Sequence, residues 1–169
     1  MRLLHRLFAT RDPREDVRAL WKGVVENARA PEWYREGGVA DTLEGRFDMV
    51  TMVLALVLLR MERSAALGPH TALLTEIFVE EMDGQLRQSG VGDLMVGKQI
   101  GRLMATLGGR MGALRTVLVA DGEALDEVVE RTVTLREGAD VAALATRLRA
   151  LGARLDATED AALLAGEIA

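Results

Sequence analysis

The sequence predicts an all-α protein: a single-domain, irregular, orthogonal bundle of six or seven helices. Three observations carry that prediction. Apolar residues recur at helical spacing through every long segment. These segments open at Asp, Thr or Pro signals and close at Gly or Pro. No stretch alternates long enough to build a sheet, residues 132–135 being the nearest to a strand. A chain of 169 residues with 49% hydrophobic and 28% charged side chains is large enough to bury a core of its own.

Residues 1–11 form a separate basic segment. Leu3, Leu4, Leu7 and Phe8 share one helical face, with Arg2, His5, Arg6 and Arg11 around it, a pattern suited either to a short helix docked on the core or to an anionic membrane surface. The helical domain then occupies 12–169. Asp12-Pro13-Arg14-Glu15 predicts a capped helix start, with Glu15 returning to the cap. Val17, Leu20, Trp21, Val24, Val25 and Ala28 follow on its apolar stripe, and Ala30-Pro31 ends it. Gly37-Gly38 marks a loop. Asp41-Thr42-Leu43-Glu44 repeats the capping pattern and opens a helix that is apolar on nearly all sides from Met49 to Leu59. Such a helix belongs at the centre of a core.

Gly68-Pro69 restarts the chain. Leu73, Leu74, Ile77, Phe78, Met82 and Leu86 stripe the next helix, and Gly90 is placed to cap its end. Asp93 is expected to cap a further helix. That helix holds five glycines, Gly97, Gly101, Gly108, Gly109 and Gly112. They predict close helix packing or a break at Gly108-Gly109. Three more helices are expected at about 122–133, 140–152 and 158–167. Residues 116–169 carry 5 basic and 11 acidic side chains and form an acidic tail.

Composition excludes much chemistry. With no cysteine there are no disulfides, thiolate metal sites or thiol nucleophiles. Two distant histidines, His5 and His70, leave little for a zinc site or a catalytic triad. Neither a catalytic residue set nor a metal or cofactor site is predicted. A net charge of −5 and 4% aromatics argue against direct DNA binding or base stacking. The longest apolar run, 49–59, is well short of the roughly 20 residues of a membrane span. No secretory layout is visible at 1–11, so the sequence predicts a cytoplasmic protein, peripheral at most on the inner membrane.

Charged and glycine residues concentrate beside apolar ones in two stretches, 41–47 and 82–99. Read bottom-up, they are either an internal polar network that fixes helix register, with Arg46 and Arg87 pairing Asp83 or Asp93 across the bundle, or a polar rim around an apolar groove that receives a partner helix.

Three stretches resemble the ubiquinol–cytochrome c chaperone family, the cytochrome b assembly factors. They are Trp21 to Tyr34, with Ala28-Arg29-Ala-Pro-Glu-Trp33-Tyr34; Asp41-Thr-Leu-Glu-Gly-Arg-Phe47; and Met82-Asp83 through Leu86-Arg87, Gly90-Val-Gly-Asp93 and Val96-Gly97-Lys98. The resemblance covers about 15–118 and leaves the tail 119–169 outside. Val53, Leu107-Gly-Gly-Arg110 and Leu114 stand where the family often has histidine, Phe-Tyr-Gly-Arg and tyrosine. The resemblance implies a non-enzymatic chaperone without cofactor. Its client would be newly made cytochrome b, handled at the ribosome or the inner-membrane surface. Mapped onto this sequence, the client-binding residues are Arg29, Trp33, Tyr34, Asp41, Arg46, Phe47, Asp83, Arg87, Asp93, Leu94 and Lys98. The other reading open to a helical core is a binding protein for a lipid, quinone or haem.

Overall fold

The computed structural model describes residues 12–88, 90–118 and 124–168; the basic segment 1–11 lies outside them. The helices, in order, are α1 (Glu15–Ala28), α2 (Pro31–Arg35), α3 (Leu43–Glu62), α4 (Thr71–Gln88), α5 (Asp93–Val117), α6 (Ala124–Thr132), α7 (Val141–Ala157) and α8 (Asp160–Leu164). A single 3₁₀ turn, Gly68–His70, precedes α4. α2 and α8 have five residues each; the other six are longer. The described residues hold no sheet, and their one β-bridge joins Val39 to Leu135, at the expected weak strand.

α3 is the axle of the molecule, as its all-round apolar surface requires. From Met49 to Leu59 every residue but Val50 is buried. α1, α4, α5 and α7 pack around it. Each fully buried leucine, valine or methionine contributes about 1.5–3 kcal/mol, so this one helix supplies much of the core. Thr51 is polar yet fully buried, and its hydroxyl donates to the Phe47 and Asp48 carbonyls at 3.1 and 3.0 Å.

The acidic tail is part of the same core. Leu125, Val129, Leu144, Leu148, Leu151, Leu155 and Leu163 are all buried. α6 pairs with α7, α7 lies on α3, and α8 lies on α1. At the junction, the Arg60 guanidinium donates to the Leu155 and Thr158 carbonyls and to Asp160. The Ser64 hydroxyl and Arg60 together hold the Asp160 carboxyl below the ordinary carboxylate value of 3.8. A depressed carboxylate contributes stability above its unfolded pKa, and that stability is lost as pH falls through the folded value. Residues beyond α8 return to α1. Gly23 faces the Gly166 backbone so closely that a Cβ on it would lie 2.4 Å from the Gly166 carbonyl oxygen. Asn27 donates to the Ile168 carbonyl at 3.2 Å.

Four local expectations need correction. α1 begins at Glu15, after a turn in which the Asp12 carboxylate accepts from the Arg14 N–H at 2.9 Å; Glu15 turns outward to Arg18 instead of back to the cap. Asp93 is the first residue inside α5 and caps nothing, because its carboxylate is taken by Arg87. α5 runs unbroken through Gly108-Gly109. Its glycines also allow no close helix contact: a Cβ added at Gly97, Gly101, Gly108, Gly109 or Gly112 would meet nothing within 4 Å. Glycine costs about 0.5–1 kcal/mol against alanine in a helix interior. Gly97→Ala, Gly101→Ala and Gly108→Ala are therefore each expected to raise stability by about 0.4–1 kcal/mol. Denaturant midpoints that stay level or fall would show that these positions are constrained in the folded chain after all. One N-terminal and one C-terminal cap behave as expected from sequence: Thr42 caps the start of α3, and Gly90, at φ +83, turns the chain after α4.

Candidate functional site

The Asp41–Phe47 stretch is a clasp at the start of α3. The Thr42 hydroxyl accepts from the Gly45 N–H at 3.2 Å, which satisfies one of the free donors of the first turn. Arg46 folds back so that its Nε donates to Asp41 at 2.6 Å. That contact holds the Asp41 carboxyl below its usual range. Gly45 is required by the crossing: a Cβ there would sit 2.0 Å from the Ala40 carbonyl oxygen. The clasp leaves Leu43 81% exposed and turns Phe47 toward α1 and α4.

Between these three helices lies a groove of about 600 Å³. α1 contributes Trp21 and Val25, α3 contributes Leu43, Phe47 and Val50, and α4 contributes Met82. Lys22, Glu26, Arg29, Arg46, Glu81 and Gln85 stand around this apolar surface. Trp21 is fixed from behind by Phe78, the ring centres being 6.0 Å apart. The groove opens beside a second recess of about 380 Å³, lined by Arg29, Pro31, Tyr34, Arg35, Asp41 and Arg46. Arg29 and Arg46 therefore belong to both. The Tyr34 hydroxyl donates to the Ala28 carbonyl at 2.8 Å, and burial pushes its phenol up against the opposing charge of Arg46.

The candidate residues thus fall into groups. Arg29, Tyr34, Asp41, Arg46 and Phe47 converge on the groove and its recess. Trp33 does not line them: it is 5% exposed, and its indole N–H donates to the Asn27 carbonyl at 2.8 Å, bracing α2 against α1. Asp83, Arg87 and Asp93 form an ionic corner where α4 turns into α5, with Arg87 Nε 2.6 Å from Asp83 and a further contact to Asp93. Leu94, 94% exposed, and the exposed Lys98 follow on α5. Arg87 makes the expected pairs, with Asp83 and with Asp93 across the α4–α5 turn, but they are solvated, and Arg46 joins neither acid. Arg46 takes Asp41, and that pair is solvated too.

The desolvated arginine is Arg110, which sequence reasoning missed. It is 3% exposed and bonds Asp48 at 2.5 Å, with further contacts to the Thr51 hydroxyl and the Thr132 carbonyl. Asp48 also accepts from the Thr134 N–H and hydroxyl at 2.9 and 2.7 Å. This network ties α3, α5 and the segment after α6 together beneath the groove-bearing end of α3. Its signal in the sequence is Asp48, the acid that closes the apolar run. Trp21, Val25 and Met82 lie in the stretches that carry the resemblance, but their helical spacing, like that of Val50, marks them as core and not as site residues. The extra width of the α1 stripe, with Trp21 and Val25 beside Val17, Leu20 and Val24, marks a second surface on that helix.

A family model described as ubiquinol-cytochrome C chaperone matches residues 35–169, most of the chain. The chain belongs to the ubiquinol-cytochrome C chaperone family. The family match begins within α2 and runs through the acidic tail, which the residue-level resemblance does not reach. A crystal structure of the Cbp3 homolog from Brucella abortus is similar over 99% of this chain and 96% of that chain, with a TM-score of 0.77 and 27% sequence identity. No curated protein matches. Membership in a chaperone family makes this a non-enzymatic protein that acts through its surfaces. No helix among the described residues is long and apolar enough to cross a membrane. Among them no group of three or more His, Asp or Glu side chains is placed to hold a metal ion.

Proposed function

We propose that the protein is an assembly chaperone of ubiquinol–cytochrome c reductase, complex III, that holds newly made cytochrome b in the groove between α1, α3 and α4. The observation that carries this reading is the groove itself: an apolar lining of Trp21, Val25, Phe47, Val50 and Met82 that no further helix among the described residues fills, with Leu43 projecting at its edge. A subunit destined for the bilayer exposes helices whose apolar faces have no partner until assembly, and an open groove between helices shields such a face reversibly. Arg29 and Arg46 anchor polar groups at the groove's end, and Trp33 holds α2 in place behind them. The Asp83–Arg87–Asp93 corner, with Leu94 and Lys98, extends the contact surface beyond the end of α4.

Leu43→Glu tests this with little risk to the fold. Leu43 is exposed and begins α3, where a carboxylate is favoured by the helix dipole. Its melting temperature should match or slightly exceed the parent's. Capture of cytochrome b from solubilised membranes should fall about tenfold, as expected when an apolar contact at the groove's edge worth about 1.4 kcal/mol is replaced by a charge. Equal capture by parent and variant would remove the groove as the client site. Recovery of a small molecule with no protein client would replace the reading with ligand binding.

A further inference from the structure

The groove and the recess at its end differ in charge. Three guanidinium groups, Arg29, Arg35 and Arg46, surround the recess, and Asp41 is its one carboxylate. Asp41 is already committed to Arg46. Arg29 and Arg35 have no carboxylate partner among the described residues. Of the acids next to them in sequence, Glu26 pairs with Lys22 and Glu36 with Arg147, and Glu32 lines a separate recess with Trp33 and Arg147. The Tyr34 hydroxyl is spent on the Ala28 carbonyl. Two positive charges therefore face one small concavity without compensation, and Arg29 stands on the wall that the recess shares with the apolar groove.

We infer that the recess recognises a carboxylate carried by the helix that occupies the groove, so that the preferred partner is an apolar helix with an Asp or Glu at its polar edge. This rests on the groove being the client site. Charge complementarity selects the group, since a guanidinium fork binds a carboxylate in two parallel hydrogen bonds. Continuity selects the carrier. Any chain segment that fills the groove passes Arg29, and its polar edge then lies over the recess. A peptide fits better than an anionic bilayer, because Arg29 and Arg35 line a small concavity, and Glu26 and Glu81 interrupt Lys22, Arg29 and Arg46 around the groove, so no flat, uniformly basic face is offered to a sheet of headgroups. The recess thus adds selectivity to a surface that otherwise accepts any apolar helix.

The test uses synthetic helical peptides of about 18 residues, or five turns, with a leucine face and a glutamine and serine polar face. One edge position, at the first, middle or last turn, is set to Glu, Gln or Lys. Binding to the full chain is read from tryptophan fluorescence, because Trp21 lines the groove. In the best register the Glu peptide should bind about fivefold tighter than the Gln peptide, and the Lys peptide weaker than both. Arg35→Gln, which lies outside the groove lining, should keep Gln-peptide binding and the melting temperature while weakening the preference, and adding Arg29→Gln should erase it. Arg29→Glu with Arg35→Glu should reverse it. Equal binding of the three peptides in every register, or a preference that survives the double glutamine variant, overturns the inference and leaves the groove standing. Failure of every peptide to bind overturns the groove reading and this inference with it.

Discussion

Leu56→Asp is expected to leave the protein unfolded or aggregated at room temperature. Leu56 sits midway along α3, is 3% exposed, and belongs to the helix that four others pack against. Truncating a buried leucine alone costs about 2–5 kcal/mol. The aspartate adds a carboxylate with no partner in an apolar interior, and each such group costs several kcal/mol more or binds a proton to escape its charge. A domain has only about 5–15 kcal/mol to lose. Leu56→Met keeps volume and apolarity and should cost less than about 1.5 kcal/mol. Circular dichroism and a thermal melt on the pair give the answer: a cooperative transition for the aspartate variant near that of the parent would mean that α3 is not the axle of the fold.

The second large effect is expected at Asp48. Asp48→Ala strips the buried Arg110 guanidinium of its one carboxylate partner among the described residues and leaves the Thr134 N–H without an acceptor. Removing one member of a buried pair costs about 3–5 kcal/mol, since the remaining charge stays desolvated. At about 2–4 °C per kcal/mol for a domain of this size, the midpoint should fall by about 10 °C. Adding Arg110→Met to this background removes the orphaned charge and should recover part of the loss. A double variant no better than Asp48→Ala would show that the polar contacts of Arg110 to the Thr132 and Asp48 carbonyls matter more than its charge.

What the sequence could disclose follows from the range of the forces involved. The identity of α3 as the central helix was legible because burial on all sides leaves an unbroken apolar run, and no other position satisfies one. Thr42 and Gly90 were legible because caps depend on residues within a turn of each other. Asp93 was misread for the same reason: its nearest competitor, Arg87, lies six residues back, beyond a turn, and wins the carboxylate. The α5 glycines were read as packing positions because their spacing fits a helix contact; spacing cannot tell which way that face points, and it points to open space. Arg46, Phe47, Arg29 and Tyr34 were found through the motif residues that carry the resemblance. The rest of the groove was hidden, because Trp21, Val25 and Met82 obey the same helical periodicity as the core beside them. Arg110 needed three segments brought together, and no local pattern records that.

The seam between α1 and residues 163–168 sets the order in which the protein can be completed. Gly23 fits against Gly166, and Asn27 reaches Ile168 across 141 positions of sequence. A ribosome delivers α1 long before it delivers the residues that cover one side of it. During that interval α1 can dock on α3 and α4, while its opposite side waits for its cover. Contacts this distant in sequence are slow to close. The seam on α1 is thus closed only after translation has passed residue 168.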